Sequence, residues 1–127
     1  MPRRVRITIG EVALAVELLE TPTAAAIWSA LPIESEALTW GDEVYFSTPV
    51  SVEPEPEARS VVEAGEIVFW IDGDAIAIGY GLTPVSRGDE IRLASPANVW
   101  AAALGDVRIF DAVEAGDEVL VEALPEG

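Results

Sequence analysis

The triplet Gly-Asp-Glu occurs at residues 41–43, 88–90 and 116–118, and each copy stands directly before a β-rich run: Val44-Tyr45-Phe46, Ile91-Arg92-Leu93 and Val119-Leu120-Val121. Glycine reaches the positive φ that tight turns need, and the acids behind it favour a solvated strand entrance. A chain cut in this way consists of short extended segments that must pair with one another, so its fold is built mainly from sheet. The competing use of a repeated acidic triplet is to gather carboxylates around Ca²⁺ or Mg²⁺. These copies lack the ligand spacing of a calcium loop and need not converge in space. Turn punctuation is therefore the expectation, and no metal site is assigned.

The segments between the turns carry the pattern through. Val5, Ile7 and Ile9 alternate with Arg4, Arg6 and Thr8, and after Gly10-Glu11 the residues Val12, Leu14, Val16 and Leu18 share one face, which predicts an opening hairpin. Thr21 is placed to cap a helix that has Pro22 at its first position, an apolar stripe of Ala24, Ile27, Trp28 and Leu31, and Pro32 as its stop. On that stripe Trp28 reads as a core anchor rather than part of a cofactor box. The Glu-Pro alternation from Glu53 to Pro56 favours extended backbone outside a ladder, a rim loop. A second hairpin is expected from Glu66 to Ile71 and Ala75 to Tyr80, joined at Asp72-Gly73 with the glycine taking the positive φ. Further strands are expected at Ile91 to Leu93, Val99 to Leu104 and Val119 to Ala123. About eight strands with one or two helices favour a closed or nearly closed β-barrel capped by helix.

At 127 residues the chain fits one domain, spanning 1–127, with a single sizeable core. Hydrophobic residues make up 50% of it, so its 23 acidic residues do not make it a disordered chain. The net charge of -16, set against seven arginines and no lysine, opposes binding to phosphate backbones and makes nucleic acid an unsuitable partner. Such a surface suits a high-salt cytoplasm, or else reflects the composition of the source genome. The absence of Cys and His removes disulfides, thiol chemistry, the usual zinc ligands and every His-based triad. Arg6, Glu11 and Glu17 interrupt any apolar core near the start, and no later run approaches the roughly 18 residues needed to span a bilayer. A cytoplasmic location is expected, with no membrane partner.

Few constellations offer chemistry. In Gly79-Tyr80-Gly81-Leu82-Thr83-Pro84 a Gly-x-Gly follows a strand, as in a dinucleotide loop, but Pro84 stands at the third glycine and no helix N-terminus or lysine follows to meet phosphate. Asp72 with Asp74, and Glu34 with Glu36, lack the burial that would hold one carboxyl protonated for acid–base work. There remain Trp40, Tyr45, Phe46, Phe69, Trp70 and Tyr80, some of which strand alternation must turn outward towards a pocket.

The run Trp40 to Val50, the hairpin from Gly65 to Ile91 and the stretch Ser95 to Val107 resemble a prokaryotic family of small cyclophilin-like proteins of unassigned function, over nearly the whole chain. The resemblance implies a cyclophilin-type barrel, and in the tail it implies that Asp106 to Val113 is helical. Cyclophilins isomerise prolyl bonds with an Arg, an apolar pocket and neighbouring Gln and His. This sequence has no Gln or His, and Ser47-Thr48-Pro49 stands where the Arg would follow Tyr45-Phe46. The amide barrier is about 20 kcal/mol, which an apolar groove without a placed cation lowers little. The expected function is a non-catalytic binding module without catalytic residues or cofactor, holding a small molecule or extended peptide on the barrel face at Tyr45, Ile76, Ile78, Tyr80 and Thr83. The alternative is a weak or altered prolyl isomerase using Arg87 or Arg92. Because so few cations offset the acids, the midpoint of denaturant unfolding is expected to rise when salt is added, and an unchanged midpoint would show the charges already compensated.

Overall fold

A computed structural model of the protein describes residues 3–125. The strands are β1 (Arg4–Ile9), β2 (Val12–Leu18), β3 (Ile33–Glu36), β4 (Leu38–Thr39), β5 (Glu43–Ser47), β6 (Arg59–Val62), β7 (Glu66–Trp70), β8 (Ala75–Gly79), β9 (Ile91–Ala103) and β10 (Glu118–Ala123), with helix α1 (Pro22–Ala30) after β2. They form one antiparallel sheet in the order β3, β10, β1, β2, β9, β7, β8, β5, β4, with β6 added along β9. The two ends of this order, β3 and β4, are separated in the chain by Ala37 alone. One bent segment therefore pairs with β10 through Ile33–Glu36 and with β5 through Leu38–Thr39, and joins both edges of the sheet. Taken as one stave, it makes an eight-stave, nearly closed barrel, the cyclophilin-like architecture implied by the resemblance.

The triplets punctuate the strands as expected. Gly41, Gly88 and Gly116 have φ of 60°, 66° and 97° and stand just before β5, β9 and β10. The first hairpin has Ile9 opposite Val12 across Gly10, and Val5, Ile7, Ile9 and Val16 are fully buried inside the barrel. In the second hairpin Asp74, not Gly73, takes the left-handed conformation (φ 49°) after a 3₁₀ turn over Ile71–Gly73. Gly73 is needed for space, since a Cβ there would lie 2.3 Å from the Trp70 ring.

The strands expected separately at Ile91–Leu93 and Val99–Leu104 are one strand of 13 residues. Pro96 is tolerated because β6 jumps from Arg92 to Ala97 in its register and β7 pairs no further than Ala97, so no ladder needs the missing N–H. A bulge where Ile67 and Val68 face Ala101 and Val99 leaves Trp100 as the extra residue, with its side chain wholly buried.

Thr21 caps α1 by accepting a hydrogen bond from the Ala24 N–H at 3.1 Å, as the sequence predicts. Trp28 needs correction as the anchor of this helix. Ile27 is the helix's fully buried apolar residue, whereas Trp28 lies half-buried at the margin with the Arg3 guanidinium 4.9 Å from its ring centre. A 3₁₀ helix over Val107–Ala112, capped by Asp106, buries Val107 and Phe110 in the same core and realises the helical tail that the resemblance implied. The rim loop is tied down by Asn98, which donates to Thr23 Oγ1 (3.0 Å) and the Glu53 carbonyl (2.9 Å) and accepts from the Glu55 N–H (2.9 Å). No helix among the described residues is long and apolar enough to cross a membrane.

These burial differences predict that Trp100→Ala costs about 3–5 kcal/mol by leaving a cavity. Trp28→Ala should cost less than half as much in the same denaturant titration. Equal losses would mean that the helix is anchored through Trp28 after all.

Candidate functional site

Alternation on three neighbouring staves builds two different surfaces. Val44 and Phe46 on β5, Ile76 and Ile78 on β8, and Ile67 and Phe69 on β7 point into the barrel and are fully buried. The opposite face carries Glu43 and Tyr45 on β5, Ala75 and Ala77 on β8, and Val68 and Trp70 on β7. Ala77 pairs with Tyr45 on one side and Val68 on the other, so small side chains on the central stave leave room between bulkier ones. β6 and the first half of β9 lie over part of this wall, packing Val62, Ile91, Leu93 and Ala97 against Val68 and Ala77 as a second small core.

Beside that second core is a cleft of about 270 Å³ lined by Trp40, Glu43, Tyr45, Trp70, Ala77, Leu93 and Ala94. Its walls are held from behind. The Trp70 indole N–H donates to Ser95 Oγ at 2.6 Å, Tyr45 meets the Trp70 ring edge-on at 6.2 Å and 82°, and Gly73 makes room for the same ring. Trp40 sits in the turn between β4 and β5, where its N–H donates to the Glu43 carbonyl at 2.9 Å. The loop from Tyr80 to Glu90 braces this turn: the Asp42 N–H donates to the Leu82 carbonyl and the Tyr80 N–H to the Asp42 carbonyl, each at 2.8 Å.

Glu43 is the unusual member. It belongs to the first Gly-Asp-Glu triplet, whose acids were expected to keep the strand entrance wet, yet it is only 6% exposed and its Oε1 has no hydrogen-bond partner. Burial pushes its carboxyl up to about 7. The triplet is punctuation at its glycine, but its glutamate is a desolvated acid in a cleft walled by aromatic rings.

Of the residues expected at the barrel face, Tyr45 lines the cleft. Ile76 and Ile78 do not reach it, because β8 has the opposite parity and turns both into the barrel interior. Tyr80 packs on the barrel core, and its phenol is pushed up by burial and by the charges of Asp111 and Asp42. Thr83 is buried and works as a clamp, with its hydroxyl donating to the Arg92 carbonyl and its N–H to Ser86 Oγ at 2.9 Å. Gly79 and Gly81 serve close packing, since a Cβ would lie 2.4 Å from Ile91 or 2.5 Å from Asp42. Arg92 is held by Glu90 at 2.7 Å, Arg87 is exposed, and neither lines the cleft. Trp40 and Trp70 are among the aromatics that sequence alternation offers to a pocket, and both line the cleft, whereas Glu43 reads in the sequence only as a turn acid. The available signal was the run Ala75-Ile76-Ala77-Ile78-Gly79, in which small residues occupy one face and isoleucines the other.

Barrel, helical cap and outer-wall cleft define a cyclophilin-like domain. A family model described as cyclophilin-like matches residues 3–122, and the chain belongs to that family. Among solved structures it is similar to a hypothetical protein from Archaeoglobus fulgidus, with 42% identity, 95% of this chain and 94% of that one covered, and a TM-score of 0.83. It also shares its fold with McbB, described in complex with tryptophan, at 15% identity and a TM-score of 0.70, covering 97% of this chain but 45% of McbB. No curated protein matches the chain.

The raised Glu43 carboxyl predicts a signature in stability. The unfolded chain ionises this group near 4.5 and the folded protein near 7, so between those values the unfolded state sheds its proton first and stability falls as pH rises. Below the first value and above the second this group adds no slope. Glu43→Gln should therefore raise unfolding free energy at pH above 7 by about 3 kcal/mol, with little change in acid. Denaturant melts across the range check this, and equal effects at both ends would mean that Glu43 is solvated.

Proposed function

We propose that the protein is a non-catalytic binding module that holds a small molecule in the cleft between Trp40, Glu43, Tyr45, Trp70 and Leu93. The carrying observation is the convergence of three aromatic side chains on one buried carboxyl whose Oε1 is unpartnered, on a wall braced by Ser95 and Gly73. Binding sites combine apolar walls with a few placed polar groups in this manner. At about 270 Å³ the cleft suits a small molecule or one side group of a larger one better than a length of peptide. The ligand of McbB is likewise a small molecule, although that likeness is one of fold and does not choose the ligand here. Prolyl isomerisation is the weaker reading, since its best candidates for a cation, Arg87 and Arg92, lie away from the cleft.

A metabolite screen by thermal shift tests the proposal, because a ligand bound to the native state alone raises its melting temperature. The expected hit stabilises the protein and loses that effect in Tyr45→Ala and Trp70→Ala. A hit indifferent to both changes would place the site elsewhere. Acceleration in a coupled prolyl-peptide assay that disappears in Arg92→Ala or Arg87→Ala would replace the binding reading with the isomerase one.

A further inference from the structure

The chemistry of the cleft narrows its ligand. Among the described residues that line the cleft the only acidic group is Glu43, whose carboxyl is buried and has an oxygen with no donor, and none of them is an arginine. An apolar ligand would satisfy the rings and leave the buried carboxyl without a counter-charge, which is costly for its ionised form. An anion would meet both a carboxyl and the field of a chain with net charge -16. A cation satisfies every feature together: it neutralises the carboxylate, its positive face rests on the electron-rich faces of indole and phenol, and the acidic surface draws it in. Two of the rings, Trp70 and Tyr45, are positioned before it arrives, by the Trp70–Ser95 hydrogen bond and the edge contact between them.

Resting on the reading of this cleft as the binding site, we infer that its ligand carries a small organic ammonium group, seated among Trp40, Tyr45 and Trp70 with Glu43 as its counter-charge. A metal ion fits less well, since among the described residues Glu43 is the only acid lining the cleft and no three acidic side chains are grouped to hold one. The carboxyl's raised pKa marks a group that gains from a permanent positive neighbour.

The test compares choline chloride with its uncharged carbon isostere, dimethylbutanol, by tryptophan fluorescence and calorimetric titration against the intact protein, with sodium chloride holding ionic strength constant. Choline is expected to bind about tenfold or more tightly than the alcohol, as the gain from a desolvated cation–π and charge contact implies. Glu43→Gln should cut the choline-over-alcohol ratio several-fold, leaving what the rings alone contribute, and Trp70→Ala should weaken both probes. If the alcohol binds as well as choline, or Glu43→Gln leaves the choline-over-alcohol ratio unchanged, the ammonium inference is wrong. If neither probe binds, the ammonium inference also falls, while the cleft as a binding site is decided separately by the sensitivity of screened ligands to Tyr45→Ala and Trp70→Ala.

Discussion

Closure of the sheet depends on the bend at Ala37. Its N–H donates to the Asp117 carbonyl and its carbonyl accepts from the Gly116 N–H, both at 2.8 Å, while its side chain is fully buried. Those two bonds hold the bend against the turn before β10, so that one segment can serve β10 with its first half and β5 with its second. A sheet edge left unpaired exposes a row of donors and acceptors, and closure removes it here without additional chain. Closure also fixes which face of β5, β8 and β7 is interior, and therefore which residues are left for an outer wall.

The outer wall owes its cleft to a difference in side-chain size across a ladder. With alanines on β8 between Tyr45 and the β7 residues Val68 and Trp70, the wall is concave, and the overlying start of β9 turns that concavity into a cleft. Glu43 enters it because the β4–β5 turn is tight: Gly41 lies against Leu82 and Thr83, and a Cβ there would come within 2.8 Å of the Leu82 carbonyl. The acid at the strand entrance is thereby drawn under cover. A structural device, the turn before a strand, thus supplies the one chemically distinctive group of the site.

Much of the architecture was legible in the sequence because it rests on local rules. The hairpin at Gly10, the Thr21 cap with Pro22 behind it and the turn glycines 41, 88 and 116 follow from φ preference and alternation, and all appear in the structure. Less legible were features decided by tertiary pairing. Whether Ile76 or Ala77 faces inward depends on the register of β8 with β5 and β7, and alternation alone leaves that parity open. Trp28 has the right helical spacing for a core residue, but the bulge at Trp100 places another indole in the interior, and no local signal announces that exchange. Glu43 reads as a solvated turn acid until the packing around it is known. Asn98 likewise gains its meaning only when Thr23, Glu53 and Glu55, distant in sequence, gather around it.

The central claim is that Glu43 is a desolvated carboxyl waiting in an ordered aromatic cleft, and its own titration tests this most directly. Carbon-13 NMR of the Glu43 side-chain carboxyl, assigned by comparison with Glu43→Gln, reads its ionisation without reference to any ligand. The midpoint expected for this desolvated carboxyl is about 7. A midpoint near the unperturbed glutamate value of 4.5 would show a carboxyl in contact with water, and would contradict both the burial and the cleft built around it.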